Sequence, residues 1–144
     1  MIVGTKENFI KKLKLNSNIN KLVFAKTLFA ITKNPSDEFL EIVANTFMNR
    51  FVVEAEMTDE IPNIVMMLSS NKCWKDLKFM DEIDFNSDLF KKCLKIANRI
   101  LMGELDNKFS FVLSFHKKSE SHLLTNNIKP IFEVDGFSFF DVYI

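Results

Sequence analysis

The amino-acid sequence predicts an α+β fold, a helical bundle followed by a small antiparallel β-sheet. Apolar residues recur at spacings of three to five through about residue 100. The period then drops to two in "FSFVLSFH" (109–116), and an Asp-Gly pair at 135–136 separates the β-rich runs "IFEV" and "FSFFDVYI". A chain of 144 residues is the size of one domain and buries about 70% of its unfolded surface around a single core. With no repeat, linker or low-complexity tract, the expected organisation is a basic N-terminal helical segment, 1–17, leading into one globular unit, 18–144.

Residues 5–15 predict a short Lys-rich helix with Phe9, Ile10 and Leu13 on one side. A second helix, about 18–32, is nearly apolar around its C-terminal half, so that end is expected to be buried. The third starts with Asn34 as N-cap and Pro35 in the first helical position; Asp37 and Glu38 then sit where the helix dipole favours negative charge. Phe39, Ile42, Val43, Thr46, Phe47 and Phe51 keep one face to about residue 53. Thr58 or Asp59 is expected to cap a short helix through Pro62 to Leu68. Ser87 caps a further helix whose stripe is Leu89, Cys93, Ile96, Ala97 and Ile100, and Gly103 suits its C-terminal cap. Two hairpin strands close the chain.

Net charge is zero, but seven Lys and one Glu lie in residues 1–33, and seven acids face Arg50 alone in 34–62. The two segments are expected to attract each other. The basic segment has no Arg and no Gly-rich or aromatic-interleaved stretch, so nucleic acid is not an expected partner. The start, "MIVGTKENFIKKLKL", lacks an apolar run long enough for a signal-peptide core, and no stretch approaches 18 apolar residues. The expectation is therefore a chain made in the cytoplasm with no membrane span. Cys73 and Cys93 read as free thiols of a reducing compartment. Seventeen Lys against two Arg, with many Asn and Ile, is the residue usage of an A+T-rich genome such as that of an endosymbiont, an organelle or a phage.

Three isolated glycines, Gly4, Gly103 and Gly136, do not make a phosphate loop. Cys73, Cys93, His116 and His122 are the only soft metal ligands and include no CxxC or HxxxH pair, so neither metal nor cofactor is expected. A Cys-His nucleophile from Cys73 or Cys93 with His116 is conceivable, yet Cys93 lies on a core stripe. Sixteen Phe against one Trp and one Tyr supply core volume with few polar handles. An acid catalyst needs a carboxyl in an apolar cleft, whereas Glu38, Glu41, Glu54 and Glu56 fall on or beside a solvated helix face.

The ordered set "ANTFMNRF" (44–51), "CWKD" (73–76), "CLKIANRILMGE" (93–104), "VLSFHK" (112–117) and "DGFSFF" (135–140) resembles the SleB-type cell wall hydrolases over about residues 20–141. That family's pattern runs from an apolar helix through G-E-A-R-G-E to a helix ending V-x-N-R-V, then F-S-C-W, a helix ending in Gly, a strand with F-H-N, and G-x-H-x-F. The resemblance implies a lysozyme-like fold and a glutamate that protonates a glycosidic oxygen of peptidoglycan. Counted back from Asn49 and Arg50 with the family's spacing, that glutamate falls on Ile31. The adjoining Arg, Gly and Glu positions fall on Lys33, Asn34 and Pro35, and the late histidine falls on Ser138.

An isoleucine donates no proton. The resemblance therefore implies a degenerate, catalytically inactive member kept as a structural or binding module for a peptidoglycan glycan strand or for a protein of an assembly such as a phage tail or virion. Its candidate groove residues are Asn49, Arg50, Trp74 and His116. The alternative is an active hydrolase whose acid has moved to Glu38 or Glu41, with a carboxyl in the groove between the second and third helices. A third possibility is an interaction protein unrelated to hydrolases.

Overall fold

The computed structural model describes residues 5–70, 83–123 and 128–143. It is α+β, as expected: five helices precede a three-stranded antiparallel sheet among the described residues. The helices are α1 (Lys6–Leu13), α2 (Asn18–Ala30), α3 (Asp37–Thr58), α4 (Ile64–Ser70) and α5 (Asp88–Leu101); the strands are β1 (Ser114–Lys117), β2 (Phe132–Val134) and β3 (Phe137–Phe140). No helix among the described residues is long and apolar enough to cross a membrane.

Local capping explains most boundaries. The hydroxyls of Thr5, Ser17, Ser36 and Ser87 each accept the backbone N–H three residues on, so each occupies the N-cap of α1, α2, α3 and α5. The start of α3 therefore lies two residues later than expected. Ser36, not Asn34, supplies the cap, and Pro35 precedes it. At its other end α3 runs to Thr58 rather than stopping near residue 53, since Ala55 still buries and Asp59, at φ 54°, provides the left-handed stop. Thr58 and Asp59 therefore close α3 instead of opening α4, where the Asn63 side chain takes one of the first-turn N–H groups, that of Met66.

Helix α3 is the axis of the molecule. Every residue from Ile42 to Val52 is buried, so the single apolar face expected from periodicity is in fact a helix enclosed on all sides for three turns. The C-terminal half of α2 is buried, as its apolar composition predicts, and packs mainly against α5. Helix α1 is seated by Ile10, which is fully buried, and by Gly103 just past the end of α5. That glycine has φ +90°, and a Cβ there would lie 2.7 Å from the Glu7 carbonyl and 2.8 Å from Lys11 Cγ, so only glycine lets α1 approach. Helix α1 thus packs into the same body as the rest.

The hairpin forms where Asp-Gly predicts it, with Asp135 at φ 52° and Gly136 at φ +79°. Strand β3 lies between β1 and β2, with Phe115 opposite Phe139 and Phe139 opposite Phe132. These rings form one aromatic layer against α3, Phe115–Phe139 at 5.8 Å and Phe132–Phe139 at 5.4 Å between centroids. The expected strand over 109–116 is shorter. Asn107–Phe109 is a 3-10 turn capped by Asp106, and only Ser114 onward pairs with β3. The charge expectation holds in part: Glu56 of the acidic segment attracts Lys6 of the basic one, while the ion pairs of Asp37 and Glu41 run to Lys92 and Arg99 of α5.

Candidate functional site

The polar residues of α3 fall four apart, at Glu41, Asn45 and Asn49, so they share one side of the helix, and the segment 104–113 is laid along that side. Asn45 Oδ1 accepts the Asp106 N–H at 3.1 Å. One turn on, Asn49 Nδ2 donates to the carbonyls of Phe109 (2.8 Å) and Val112 (2.9 Å), while its Oδ1 accepts from the Lys6 ammonium at 2.9 Å. Arg50 Nη1 donates to the Leu113 carbonyl at 2.5 Å, and its guanidinium lies 4.1 Å from the Tyr143 ring centre. Asn49 and Arg50 are each only 2% exposed. By binding carbonyls that an extended strand would pair elsewhere, Asn49 shapes 109–113 into the irregular turn that shortens β1.

A cleft of about 400 Å³ opens beside this seam, between the last turns of α3 and the 110–113 turn. Asn49, Val52 and Val53 form its helical wall; Ser110, Phe111 and Leu113 face them, and Lys6, Glu56 and Asp141 stand around it. Lys6 also donates to the Ser110 carbonyl at 2.5 Å. Burial pulls the Lys6 ammonium below its ordinary range, against the opposing pull of Glu7 and Glu56. Phe111 is 76% exposed, although alternation of the sequence put it on the apolar side of a strand. Lys6, Glu56, Phe111 and Asp141 were not singled out from the sequence as groove residues, because what gathers them is the non-local grip of Asn49 on the 109–112 carbonyls. A second, shallower cleft of about 630 Å³ lies between Glu41 and Arg99 on one side and 104–107 on the other.

On the sheet face away from the aromatic layer, Glu133, Ser138 and His116 stand in one row across β2, β3 and β1, each opposite the next. Ser138 Oγ donates to Glu133 Oε1 at 3.4 Å, a long bond, and Glu133 also meets the Lys118 ammonium at 3.2 Å. The His116 ring packs edge-on to Phe140, 6.1 Å between centroids, and its Nε2 is closed to solvent with no hydrogen-bond partner among the described residues. Burial lowers the His116 pKa; Glu120 opposes and Arg50 reinforces that shift, so the surroundings favour the neutral ring.

Ile31 is the C-cap of α2 in helical geometry, 9% exposed and part of the hydrophobic core. The loop it begins is fastened to the hairpin tip, where the Ser36 N–H donates to Asp135 Oδ2 at 2.7 Å, and Phe39 lies 5.0 Å from Phe137. Glu38 is exposed, and Glu41 accepts from Arg99 Nη2, which commits that oxygen to a guanidinium. Trp74 and Cys73 lie outside the described residues. Cys93 is fully buried, and burial pushes its thiol up to about 12, so it is a packing residue rather than a nucleophile. Among the described residues no three His, Cys, Asp or Glu side chains come together as a metal site.

The fold thus brings Asn49 and Arg50 to one seam and His116 and Ser138 to one strand pair, with Ile31 at neither. Comparison with family models, with curated proteins and with solved structures finds no match for this chain.

Proposed function

We propose that the chain is a degenerate SleB-like cell wall hydrolase domain, catalytically inactive, kept as a module that contacts peptidoglycan or a protein partner in an assembly such as a phage tail or virion. The observation that carries this reading is the pairing of His116 with Ser138. The resemblance assigns histidines to both positions, 22 residues apart in the chain, and they are direct cross-strand partners. Two side chains that served one reaction would be expected to meet in this way. A serine now occupies one position, and the acid position holds Ile31, whose alkyl side chain can protonate no leaving oxygen. Asn49 and Arg50, also matched by the resemblance, serve the scaffold by holding 109–113 to α3.

The test is incubation of the purified chain with peptidoglycan. The expected result is co-sedimentation without release of anhydro-muropeptides. Release that disappears in Glu38→Gln or Glu41→Gln would overturn the inactive reading in favour of a relocated acid.

A further inference from the structure

The cleft beside Lys6 lies apart from the position that the resemblance gives to the acid. From the first turn of α3, next to the loop that Ile31 begins, to Asn49 is twelve residues, about 18 Å along the axis. Its volume of about 400 Å³ falls within the roughly 300–1,000 Å³ of small-molecule sites.

The groups around it restrict what it can hold. Glu56 and Asp141 are exposed carboxylates that accept hydrogen bonds, so a phosphate or carboxylate ligand would meet repulsion on two sides. The Lys6 ammonium stands in the same space and repels a cation. Among the described residues two of its three N–H donors go to Asn49 Oδ1 and the Ser110 carbonyl, which leaves the third for a ligand. Val52, Val53 and Leu113 supply an apolar floor, and Phe111 presents a ring that is 76% exposed. The ligand that suits this set is uncharged, carries hydroxyls able both to donate to carboxylates and to accept from an ammonium, and has a flat C–H face for an aromatic ring. Those are the properties of a pyranose.

We infer that this cleft binds a neutral pyranose saccharide, its C–H face on Phe111, its hydroxyls on Glu56 and Asp141 and on the remaining Lys6 N–H. The inference deepens the module reading above and rests on it for the choice of glycan. The experiment is an NMR titration of the ¹⁵N-labelled chain with chitotetraose and, separately, with cellotetraose, run beside co-sedimentation with purified peptidoglycan.

The expected result is chitotetraose-dependent shifts at the amides of Asn49, Ser110, Phe111, Leu113 and Asp141. Binding should weaken by roughly tenfold or more in Phe111→Ala and in the double variant Glu56→Gln/Asp141→Asn. All three residues are exposed, so the variants should keep the wild-type Tm. Absence of these shifts with both sugars, or wild-type binding by both variants, overturns the inference. The two readings fail separately. Co-sedimentation that survives Phe111→Ala without oligosaccharide shifts removes the cleft and leaves the module. Shifts at the cleft without co-sedimentation leave the saccharide site and remove peptidoglycan as its source.

Discussion

The seam between α3 and residues 104–113 and the outer face of the sheet both carry polar side chains, but they treat them differently. In the seam, both ends of the Asn49 amide are used, at 2.8–2.9 Å, and each bond holds a named backbone carbonyl or the Lys6 ammonium. On the sheet, Ser138 reaches Glu133 only at 3.4 Å, and His116 Nε2 is enclosed without a hydrogen bond among the described residues. Buried polar groups are retained in folded proteins when they are satisfied, and each exception asks for a reason. At Asn49 every one of these bonds is made, and stability alone accounts for it. In the sheet row the hydroxyl of Ser138 stands opposite His116 and makes its one long bond to Glu133.

The contrast makes the seam the costlier place to disturb. Asn49→Leu keeps the side-chain volume and leaves the Phe109 and Val112 carbonyls and the Lys6 ammonium short of a partner. Its expected cost is about 3–4 kcal/mol in urea unfolding, since each buried polar group left unpaired costs roughly 1–3 kcal/mol. A loss below about 1 kcal/mol would mean that the seam tolerates water, and the contrast with the sheet would collapse. Ile31→Glu places a carboxylate in the core at the acid position. The expected loss is about 2–3 kcal/mol at neutral pH, partly recovered in acid as the new carboxyl is protonated, and Tm against pH reads both. A neutral effect would put residue 31 in a wet groove rather than a packed one. Lys6→Met removes one ammonium from two acceptors at a half-buried position. About 1 kcal/mol is expected, because burial already opposes the charge there.

The readable parts of this fold are those decided within a few residues. Ser87 and Asp88 open α5, Gly103 closes it, and Asp135-Gly136 turns the hairpin, each for a local steric or capping reason that the sequence displays. At the start of α3 the sequence offers Asn34 and Pro35 as an equally good local start, and what favours Ser36 includes a contact with Asp135 from the far end of the chain. The irregular 107–113 stretch was unreadable for the same kind of reason. Its "FSFVLSFH" pattern is a sound strand signal, and Asn49, some 60 residues away, takes two of its carbonyls. Burial of α3 on all sides could not be seen either, because Asn45, Asn49 and Arg50 look solvated until their partners are known. At the candidate site, Asn49, Arg50, His116 and Ser138 were visible through the resemblance. The cleft residues Lys6, Glu56, Phe111 and Asp141 come from four separate stretches that no spacing connects.

The smallest expected effect is the most specific to the sheet. His116 is held below its ordinary pKa in the folded state, chiefly by burial, while Glu120 pulls the other way and Arg50 adds to the shift. In the unfolded chain it titrates near 6.5, so just below that pH the unfolded state binds more protons and stability rises with pH. The contribution is complete above about pH 6.5 and is lost as acid reaches the folded-state pKa. His116→Phe keeps an edge contact with Phe140 and removes the titration. Measured side by side from about pH 7 to pH 5, the wild-type Tm should fall relative to the variant, with carboxylate effects cancelling in the difference. A constant difference would mean that the ring sees solvent in both states. A difference of the opposite sign would mean that Glu120 governs His116, and the sheet row would then be as well satisfied as the seam.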